Sequence, residues 1–254
     1  MSFKLTVLQT VESTQDVARK SALSGEPEGA AIMALNQTRG RGRLGHSWIS
    51  PPGKNLALSI ILRPRLTPTE SPLLGLLTSV AVANTLDKCG IARSELKWPN
   101  DVLVGGRKIA GILSEAVLED GMVQYVIIGV GLNVNAQESD FPKHFVIPAT
   151  SIFLCTGRER DVEETARDFL EEMHALYGRV NRDGSSFIRG LWEARWAHRS
   201  RMMVHEGVVG RAKGLDEDGA LILSTPDGRL IRILSGDVFP LQPDTKGFLN
   251  NSRD

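Results

Sequence analysis

The alternation of apolar and polar positions predicts strands and helices in the first part of the chain. Alternating or continuous apolar runs indicate strands over residues 4–8, 30–36 and 55–63. After the first of these, the residues E-S-T-Q-D before V-A-R-K indicate a helix start that Ser13 or Thr14 would cap. A free helix start can also bind a polar ligand group, and both roles stay open. Leucine, valine and alanine recur at helical spacing over residues 72–88, so a core helix is predicted there.

Glycine turns divide the rest of the chain into shorter elements. Strands are predicted over residues 102–104, 108–117 and 123–130. A Gly105-Gly106 turn would join the first two as a hairpin. Residues 169–177 and 187–196 have helical patterns, whereas residues 201–241 change to short strands separated by Glu-Gly and Asp-Gly pairs. This last change of pattern predicts a small β module.

The segment between the second and third predicted strands is named here the Gly-Arg loop. It covers residues 37–48 and reads Q-T-R-G-R-G-R-L-G-H-S-W. Glycines allow backbone N–H groups to approach a ligand, while each guanidinium group can donate two parallel hydrogen bonds. The loop therefore suits a phosphate or carboxylate ligand, and the alternative is a solvated basic turn.

A second concentration of polar chemistry is K-W-P-N-D at residues 97–101. Because Pro99 disfavours helix at the preceding residue, the segment is predicted to be a fixed corner that aims its polar side chains in set directions. The alternative is an ordinary turn in which Lys97 and Asp101 form only a surface ion pair. Residues 129–135 (G-V-G-L-N-V-N) could place two amides near a metal or phosphate, although this motif alone has low specificity.

Composition excludes several classes of protein. The chain has 254 residues, of which 41% are hydrophobic, so it can build a buried core. Lysine and arginine total 30, as do aspartate and glutamate, and this balance argues against an extended nucleic-acid-binding face. No apolar run is long enough to span a membrane and the first ten residues lack signal-peptide features, so a cytoplasmic protein is expected. Cys89 and Cys155 have no CxxC spacing, which argues against a disulfide framework or structural zinc.

Together these segments resemble the catalytic domain of biotin–protein ligases, which attach biotin to a lysine of carboxylase carrier domains. The resemblance rests on five segments in the family's order, namely Ser13-Thr14-Gln15, the Gly-Arg loop with its Gln37 and Trp48, Lys97 to Asp101, Lys108 to Leu113 and Gly129 to Asn133. It implies an α+β fold, a mixed β-sheet with helices packed on one side. Residues 218–223 and 235–238 resemble, more loosely, the small SH3-like β-barrel that closes ligases of this family. The implied domains are residues 1–199 for catalysis, 200–243 for the β module and 244–254 for a flexible tail.

The resemblance implies a two-step reaction that needs no enzyme nucleophile. ATP and biotin are the expected substrates, accompanied by Mg²⁺, and the biotin carboxylate displaces pyrophosphate to give biotinyl-5′-AMP. A lysine of a biotin carboxyl carrier protein domain then attacks this mixed anhydride. Joining two anions depends on neutralising and positioning them, which explains the need for cations in both polar segments.

The resemblance also assigns roles to residues. Lys97 is expected to stabilise charge at the α-phosphate, Arg43 and Lys108 to face the carboxylate, and Asp101 to fix Lys97 or aid the metal, and these four form the catalytic group. The residues expected to bind biotin are Ser13, Thr14, Gln15, Gln37, Gly40, Arg41, Gly42, Arg43, Lys108 and Gly111. Those expected to bind ATP are Arg41, Arg43, Trp48, Asn100, Lys108 and Asn133, with Trp48 favoured as a packing anchor beneath the loop. A Mg²⁺ would lie near Asp101 and Asn133.

The Gly-Arg loop is also expected to order over the adenylate and exclude water. That role would make Arg43 a retention residue, so Arg43→Gly should release the intermediate and label bystander lysines. The chain departs from the family at His46, which stands where many members carry another arginine and offers less charge at neutral pH. Either the loop closes with fewer cations or His46 is charged when ligand is bound.

Two other functions are weighed against this one. Lipoate–protein ligase runs the same two steps, but an R-R-x-x-G-G-G loop followed by aromatic-His-Asp would be expected and is absent from the sequence. A catalytically idle biotin-binding sensor would have little need for Arg41, Arg43, Lys97 and Lys108 together. The first predicted strand begins close to Met1, so neither a DNA-binding domain nor repressor activity is expected. The expected partner is the carrier domain, without nucleic acid or membrane, and the chain would be a monomer or a homodimer.

Overall fold

The computed structural model describes residues 2–142 and 147–241 and contains two β-sheets. The strands of the larger sheet are β1 (Lys4–Val11), β2 (Ala30–Gln37), β3 (Leu56–Leu62), β4 (Ser94–Lys97), β5 (Asp101–Val104), β6 (Arg107–Glu119) and β7 (Met122–Leu132). Their order across the sheet is β1-β2-β3-β7-β6-β5-β4. β1 and β2 are parallel and the other neighbours are antiparallel, so the mixed sheet that the resemblance implied is confirmed.

Helices lie on both faces of this sheet. They are α1 (Thr14–Leu23), α2 (Leu73–Lys88), α3 (Ile152–Thr156), α4 (Val162–Asp183) and α5 (Phe187–Glu193). α2 and α4 pack on the face that carries Leu58 and Ile60, with α5 against α2. α1 packs on the opposite face, against Ile61 and Ile127. The one-sided arrangement therefore describes α2, α4 and α5 but not α1, because β3 is buried along its whole length and needs cover on both faces.

Two helices differ from the sequence predictions, and the capping of α1 differs in part. α4 begins at Val162, well before residue 169, because the Asp161 side chain accepts a hydrogen bond from the Glu164 N–H over 2.7 Å and caps the helix. α3 has no counterpart among the predicted elements. At α1, Ser13 holds the N-cap position without a side-chain cap, and the hydroxyl of Thr14 is directed to Gln37 instead. Ser13 is therefore the N-cap residue by position, as one of the two predicted alternatives, but its hydroxyl makes no capping hydrogen bond.

The C-terminal sheet is antiparallel and consists of short strands, which are the elements predicted for the β module. Its strands are β8 (Met202–His205), β9 (Val208–Leu215), β10 (Leu221–Ser224), β11 (Leu230–Ile233) and β12 (Phe239–Pro240). They pair in the order β11-β10-β9-β8-β12. The module contacts the large sheet through Trp98, whose indole N–H donates to the backbone oxygen of Gly219 over 3.0 Å. This contact holds the module beside the β4–β5 turn.

The predicted tail over residues 244–254 lies outside the described residues. Within the described ranges, none of the helices combines the length and the apolar character that a membrane crossing requires.

Candidate active site

A cavity of about 340 Å³ opens on the α1 face of the large sheet. The start of α1, the Gly-Arg loop, the β4–β5 turn and the last strand of the C-terminal sheet surround it. Its volume is typical of a small-ligand site. The predicted site residues that line it are Ser13, Thr14, Gln15, Gln37, Arg41, Gly42, Arg43, Trp48, Lys97, Asn100, Asp101, Lys108, Gly111 and Asn133. Gly40 is the exception, because it is a buried residue of the loop and does not line the cavity.

One end of the cavity is a hydrogen-bonded group of neutral polar side chains. Oε1 of Gln37 accepts a hydrogen bond from the backbone N–H of Thr14 over 2.7 Å and lies 3.0 Å from the hydroxyl of Thr14. That hydroxyl also lies 2.9 Å from the hydroxyl of the buried Ser59. Because the amide oxygen of Gln37 is already used, its nitrogen is the group that can serve as a donor.

The amide of Gln15 has the opposite orientation to that of Gln37, so its oxygen is the group that can serve as an acceptor. Its Nε2 donates to Glu115 over 2.9 Å and to the backbone oxygen of Ile127 over 3.2 Å, while its Oε1 accepts from Ser59 over 3.1 Å. Gly129 makes room for this oxygen, since a Cβ at that position would lie 2.6 Å from it. This end of the cavity therefore combines a donor with an acceptor, as recognition of a cyclic urea requires.

The Gly-Arg loop folds as a small closed hairpin. The N–H of Trp48 donates to the oxygen of Gly40 over 2.9 Å, and the N–H of Gly42 donates to the oxygen of His46 over 2.7 Å. Glycine is needed at position 40, because a Cβ on Gly40 would lie 2.3 Å from the backbone oxygen of Trp48. Leu44, with φ of 51° and an exposed side chain, forms the tip. Backbone hydrogen bonds thus give the loop a defined shape over the cavity.

The side chain of Arg41 turns away from the cavity's charged end. Its two terminal nitrogens lie 2.7 Å from Asp16 and 2.8 Å from Glu115. Burial lowers the pKa of Arg41, but the negative charges of Glu115 and Asp16 outweigh burial and raise it. Arg41 lines the cavity, but both of its terminal nitrogens bond carboxylates, and its direct contact with biotin and ATP stays a prediction. Through these contacts Arg41 braces the loop against α1 and β6.

Trp48 packs on a floor of glycines. A Cβ on Gly131 would lie 2.2 Å from the indole ring, and one on Gly111 would lie 3.1 Å from it. The Nζ atom of Lys108 lies 5.7 Å from the ring centroid, within cation–π range. Trp48 therefore fits the expected position of an anchor beneath the loop and beside the charged end of the cavity.

The β4–β5 turn is the fixed corner that the sequence predicted, with a cis peptide before Pro99. Lys97 and Asp101 pair across it at the ends of the two strands and are only 4% and 7% exposed. The ammonium nitrogen lies 3.7 Å from the carboxylate. Burial lowers the pKa of Lys97, and the charge of Asp101 opposes that shift. The alternative of a surface ion pair is therefore wrong.

Three cations converge at this end of the cavity. Nζ of Lys108 lies 2.5 Å from Asp101, whose carboxylate also faces Lys97. Arg43 lies 3.7 Å from Asp237 of the C-terminal sheet. Three positive charges thus face two carboxylates, which leaves an excess of positive charge for an anionic ligand.

The two asparagines expected at ATP use their amides within the protein. Asn100 donates to a backbone oxygen of β6 over 2.8 Å and accepts a hydrogen bond from Arg43 over 3.4 Å. Asn133 donates to the oxygen of Thr150 over 2.9 Å and accepts from Asn55 over 3.1 Å. Asn100 therefore orients Arg43, and Asn133 joins neighbouring segments of the cavity wall.

The expected Mg²⁺ site near Asp101 and Asn133 does not fit this geometry. The carboxylate oxygens of Asp101 face two ammonium groups, and the amide oxygen of Asn133 already accepts a hydrogen bond from Asn55. Within residues 2–142 and 147–241, no three histidine, cysteine, aspartate or glutamate side chains are grouped to hold a metal. A Mg²⁺ that accompanies ATP would therefore take phosphate and water oxygens rather than these side chains.

Among the residues at or beside the cavity that the predicted set lacks are Ser59, Glu115, Asp237 and Phe239. Phe239 lies with its ring centroid 5.4 Å from the ammonium nitrogen of Lys97, so the C-terminal sheet closes the charged end. One signal was available in the sequence, because Ser59 is a polar residue within an otherwise apolar strand. The other three reach the site only through contacts between distant parts of the chain.

Comparisons with known proteins agree with this arrangement. Residues 7–133 match the biotin/lipoate A/B protein ligase family, and residues 202–239 match the biotin protein ligase C terminal domain. The biotin–[acetyl-CoA-carboxylase] ligase of Paracoccus denitrificans is 35% identical over 246 residues, which cover 92% of this chain and 99% of that protein. The bifunctional ligase/repressor BirA of Bacillus subtilis is 34% identical over 232 residues, covering 90% and 71% respectively. The biotin protein ligase from Aquifex aeolicus in complex with biotin and ATP has a similar fold, with a TM-score of 0.80, 28% identity and coverage of 94% and 99%.

Proposed function

The chain belongs to the biotin–protein ligases of the biotin/lipoate A/B protein ligase family, and we propose that it forms biotinyl-5′-AMP and transfers biotin to a carrier domain. The acceptor is a lysine of the biotin carboxyl carrier protein domain of a carboxylase. The observation that carries the proposal is the division of one cavity into two chemically different ends. One end offers paired neutral amides, and the other offers Arg43, Lys97 and Lys108.

The neutral end suits the ureido ring of biotin. A cyclic urea has a carbonyl acceptor and two N–H donors, which match the donor of Gln37 and the acceptor of Gln15. Both groups are held by protein hydrogen bonds, so little side-chain freedom is lost when the ring binds. Ile112 and Leu113 line the cavity between the two ends and fit the apolar part of the ligand.

The charged end suits the first step. The biotin carboxylate attacks the α-phosphorus of ATP, a carboxylate–phosphorus bond forms, and the bond to the pyrophosphate oxygen breaks. Lys97, nearly excluded from water, supplies positive charge where the transition state gathers negative charge. Arg43 and Lys108 reduce the repulsion between the two anions as they approach, and Asp101 keeps both lysines in place.

The second step needs the intermediate to survive until the acceptor arrives. The amine of the acceptor lysine attacks the acyl carbon, an amide bond forms, and AMP leaves. The Gly-Arg loop lies over the cavity and can shield the anhydride from water. Arg43 and Trp48 on this loop are the residues proposed to retain it.

Several finer expectations from the sequence are also proposed for the protein. They are the division at residues 199 and 200 between a catalytic domain and a β module, the cytoplasmic location, and the monomeric or homodimeric state. Asp237 and Phe239 give the β module a proposed part in closing the charged end of the cavity.

Pyrophosphate exchange tests the activation step. The protein is incubated with ATP, Mg²⁺ and labelled pyrophosphate, together with biotin, with lipoate or with neither. We expect label to enter ATP only with biotin. Exchange that requires lipoate would favour lipoate–protein ligase, and biotin binding without exchange would favour the idle sensor.

A further inference from the structure

Glu115 lies beside the cavity, on β6, and connects three elements. Its carboxylate accepts hydrogen bonds from Gln15 at the start of α1 over 2.9 Å and from Arg41 of the Gly-Arg loop over 2.8 Å. Arg19, one turn farther along α1, lies 2.9 Å from the same carboxylate. The side chain of Glu115 is 22% exposed, and Glu115 does not line the cavity itself. Burial raises the pKa of Glu115, but these hydrogen bonds and charges outweigh burial and lower it, so the group is a carboxylate at neutral pH.

Glu115 and the backbone oxygen of Ile127 together fix how the Gln15 amide is turned, because both accept hydrogen bonds from its nitrogen. A carboxylate can only accept hydrogen bonds, so the amide nitrogen of Gln15 must face it. The amide oxygen then faces Ser59 and the cavity. If the amide were reversed, its nitrogen would meet the N–H groups of a urea ring, and two donors would oppose each other.

The same carboxylate anchors the base of the Gly-Arg loop. Arg41 follows Gly40 and precedes the loop tip, and its only charged partners in the described part of the chain are Asp16 and Glu115. Asp16 is on α1, whereas Glu115 is on β6 and itself contacts Gln15 and Arg19 of α1. The two contacts of Arg41 therefore tie the loop to β6 and to the helix that carries Gln15. A change at Glu115 would therefore reach the loop through Arg41 and the amide through Gln15.

We propose that Glu115 is a positioning residue for the ligase reaction, which helps to fix the orientation of the Gln15 amide toward biotin and holds the base of the Gly-Arg loop through Arg41. The inference rests on the proposed function, since it assigns the ureido ring to the Gln15 end of the cavity. Glu115 touches no substrate and acts only through its two neighbours.

The test compares Glu115→Gln with wild type and with Glu119→Gln. The last variant removes an exposed carboxylate four residues along the same strand, outside the site. Biotin affinity is measured by titration calorimetry without ATP. We expect Glu115→Gln to weaken biotin binding about tenfold, the usual worth of a hydrogen bond to a charged group, and Glu119→Gln to leave it unchanged. Glu115→Asp, which keeps an acceptor-only group, should recover much of the affinity.

A double-variant cycle distinguishes positioning from a general loss of structure. In a Gln15→Met background no amide remains to be turned, so adding Glu115→Gln should change biotin affinity less than about twofold. Limited trypsin digestion reports on the loop independently of any ligand, through cleavage after Arg39, Arg41 and Arg43. We expect Glu115→Gln to be cut faster there than wild type or Glu119→Gln.

The outcomes separate the two claims. If wild type does not bind biotin, the proposed function fails, whereas the trypsin comparison still tests the anchoring of the loop. If wild type binds biotin and Glu115→Gln binds it equally well, the inference is overturned. An equal loss in the Gln15→Met background would also overturn it, because the effect would not pass through the amide. Unchanged cleavage would remove the anchoring role.

Discussion

The ammonium nitrogen of Lys108 lies 2.5 Å from the carboxylate of Asp101, at the charged end of the cavity. Asp101 also faces Lys97, so one buried carboxylate serves two cations that would otherwise repel each other. This arrangement keeps positive charge concentrated without leaving it unpaired. It also makes Asp101 important for both folding and catalysis.

Asp101→Asn should therefore destabilise the protein. The amide keeps the shape of the side chain but removes the negative charge between two lysines, and we expect the free energy of unfolding to fall by about 3 kcal/mol. Urea denaturation measures it. Glu171→Gln, which removes an exposed partner of Lys88, should cost less than about 0.5 kcal/mol. If the two variants lost equal amounts of unfolding free energy, the burial of Asp101 between two lysines would not matter for stability.

Lys97→Met should separate chemistry from binding. We expect the rate of biotin-dependent pyrophosphate exchange to fall by about 100- to 1,000-fold, because a preorganised charge at the α-phosphate is lost. Biotin affinity should change little, since Lys97 pairs with Asp101 and takes no part in the hydrogen bonds of the Gln15 and Gln37 end. Lys213→Met, at an exposed position, is the control. If Lys97→Met retained more than a tenth of the wild-type exchange rate, the proposed role of Lys97 at the α-phosphate would be wrong.

Two glycines of β7 should report on opposite ends of the cavity. A methyl group on Gly129 meets the amide oxygen of Gln15, so Gly129→Ala should raise the KM for biotin about tenfold. A methyl group on Gly131 meets the ring of Trp48, so Gly131→Ala should raise the KM for ATP by a similar factor. Steady-state kinetics with each substrate varied distinguishes the two.

Gly190 supplies the control for this pair. It lies in α5, and a Cβ there meets nothing within 4 Å. Gly190→Ala should leave both KM values unchanged and stabilise the protein slightly, by about 0.4–1 kcal/mol. If Gly129→Ala and Gly131→Ala raised both KM values together, the two-ended division of the cavity would be wrong.

Arg43→Gly should loosen retention of the adenylate. Arg43 is held by Asn100 and Asp237 over the charged end, and its loss opens the cavity there. We expect more biotin on lysines of a bystander protein such as serum albumin, measured by avidin blot. Arg39→Gly is the matched control, because the side chain of Arg39 is 78% exposed and forms a long ion pair with Glu12, at 3.5 Å. Equal bystander labelling by both variants, with adenylate still formed, would exclude the retention role.

His198 should make stability depend on pH. Burial, together with the nearby charges of Lys97 and Arg201, lowers the pKa of His198 to about 4, against an ordinary value of about 6.5. Between these two pKa values the unfolded chain binds a proton that the folded protein does not. The contribution of neutral His198 to the free energy of unfolding is therefore fully present above pH 6.5 and is lost as the pH falls toward 4. Urea denaturation over this range should show a smaller decrease for His198→Gln than for wild type. Identical slopes would contradict the shift.

The parts of the site that could be read from the sequence are those in which neighbouring residues carry the chemistry. The K-W-P-N-D corner and the glycines of the Gly-Arg loop have local conformational causes, and both occur where they were predicted. Most strands of the large sheet could also be read, from alternation where one face is buried and from a continuous apolar run in β3, but β4 was not predicted. The predicted helix over 72–88 also agrees with α2.

The parts that could not be read depend on long-range packing. Glu115 meets Gln15 across 100 residues, and Asp237 reaches Arg43 only because the C-terminal sheet docks on the β4–β5 turn. Arg41 shows the same limit, because its motif suggests a free cation and only the fold reveals the two carboxylates that occupy it. α1 was expected on the same face as the other helices, but its place depends on which face of β3 remained uncovered.

Intact-mass spectrometry of an isolated biotin carboxyl carrier protein domain tests the central claim most directly. The domain is incubated with the protein, ATP, Mg²⁺ and biotin, with parallel reactions that lack ATP or contain lipoate in place of biotin. We predict a single biotin-sized mass gain at one lysine, present only with ATP and biotin together. A gain with lipoate, or no gain with an acceptor that a known biotin–protein ligase modifies under the same conditions, would contradict the account.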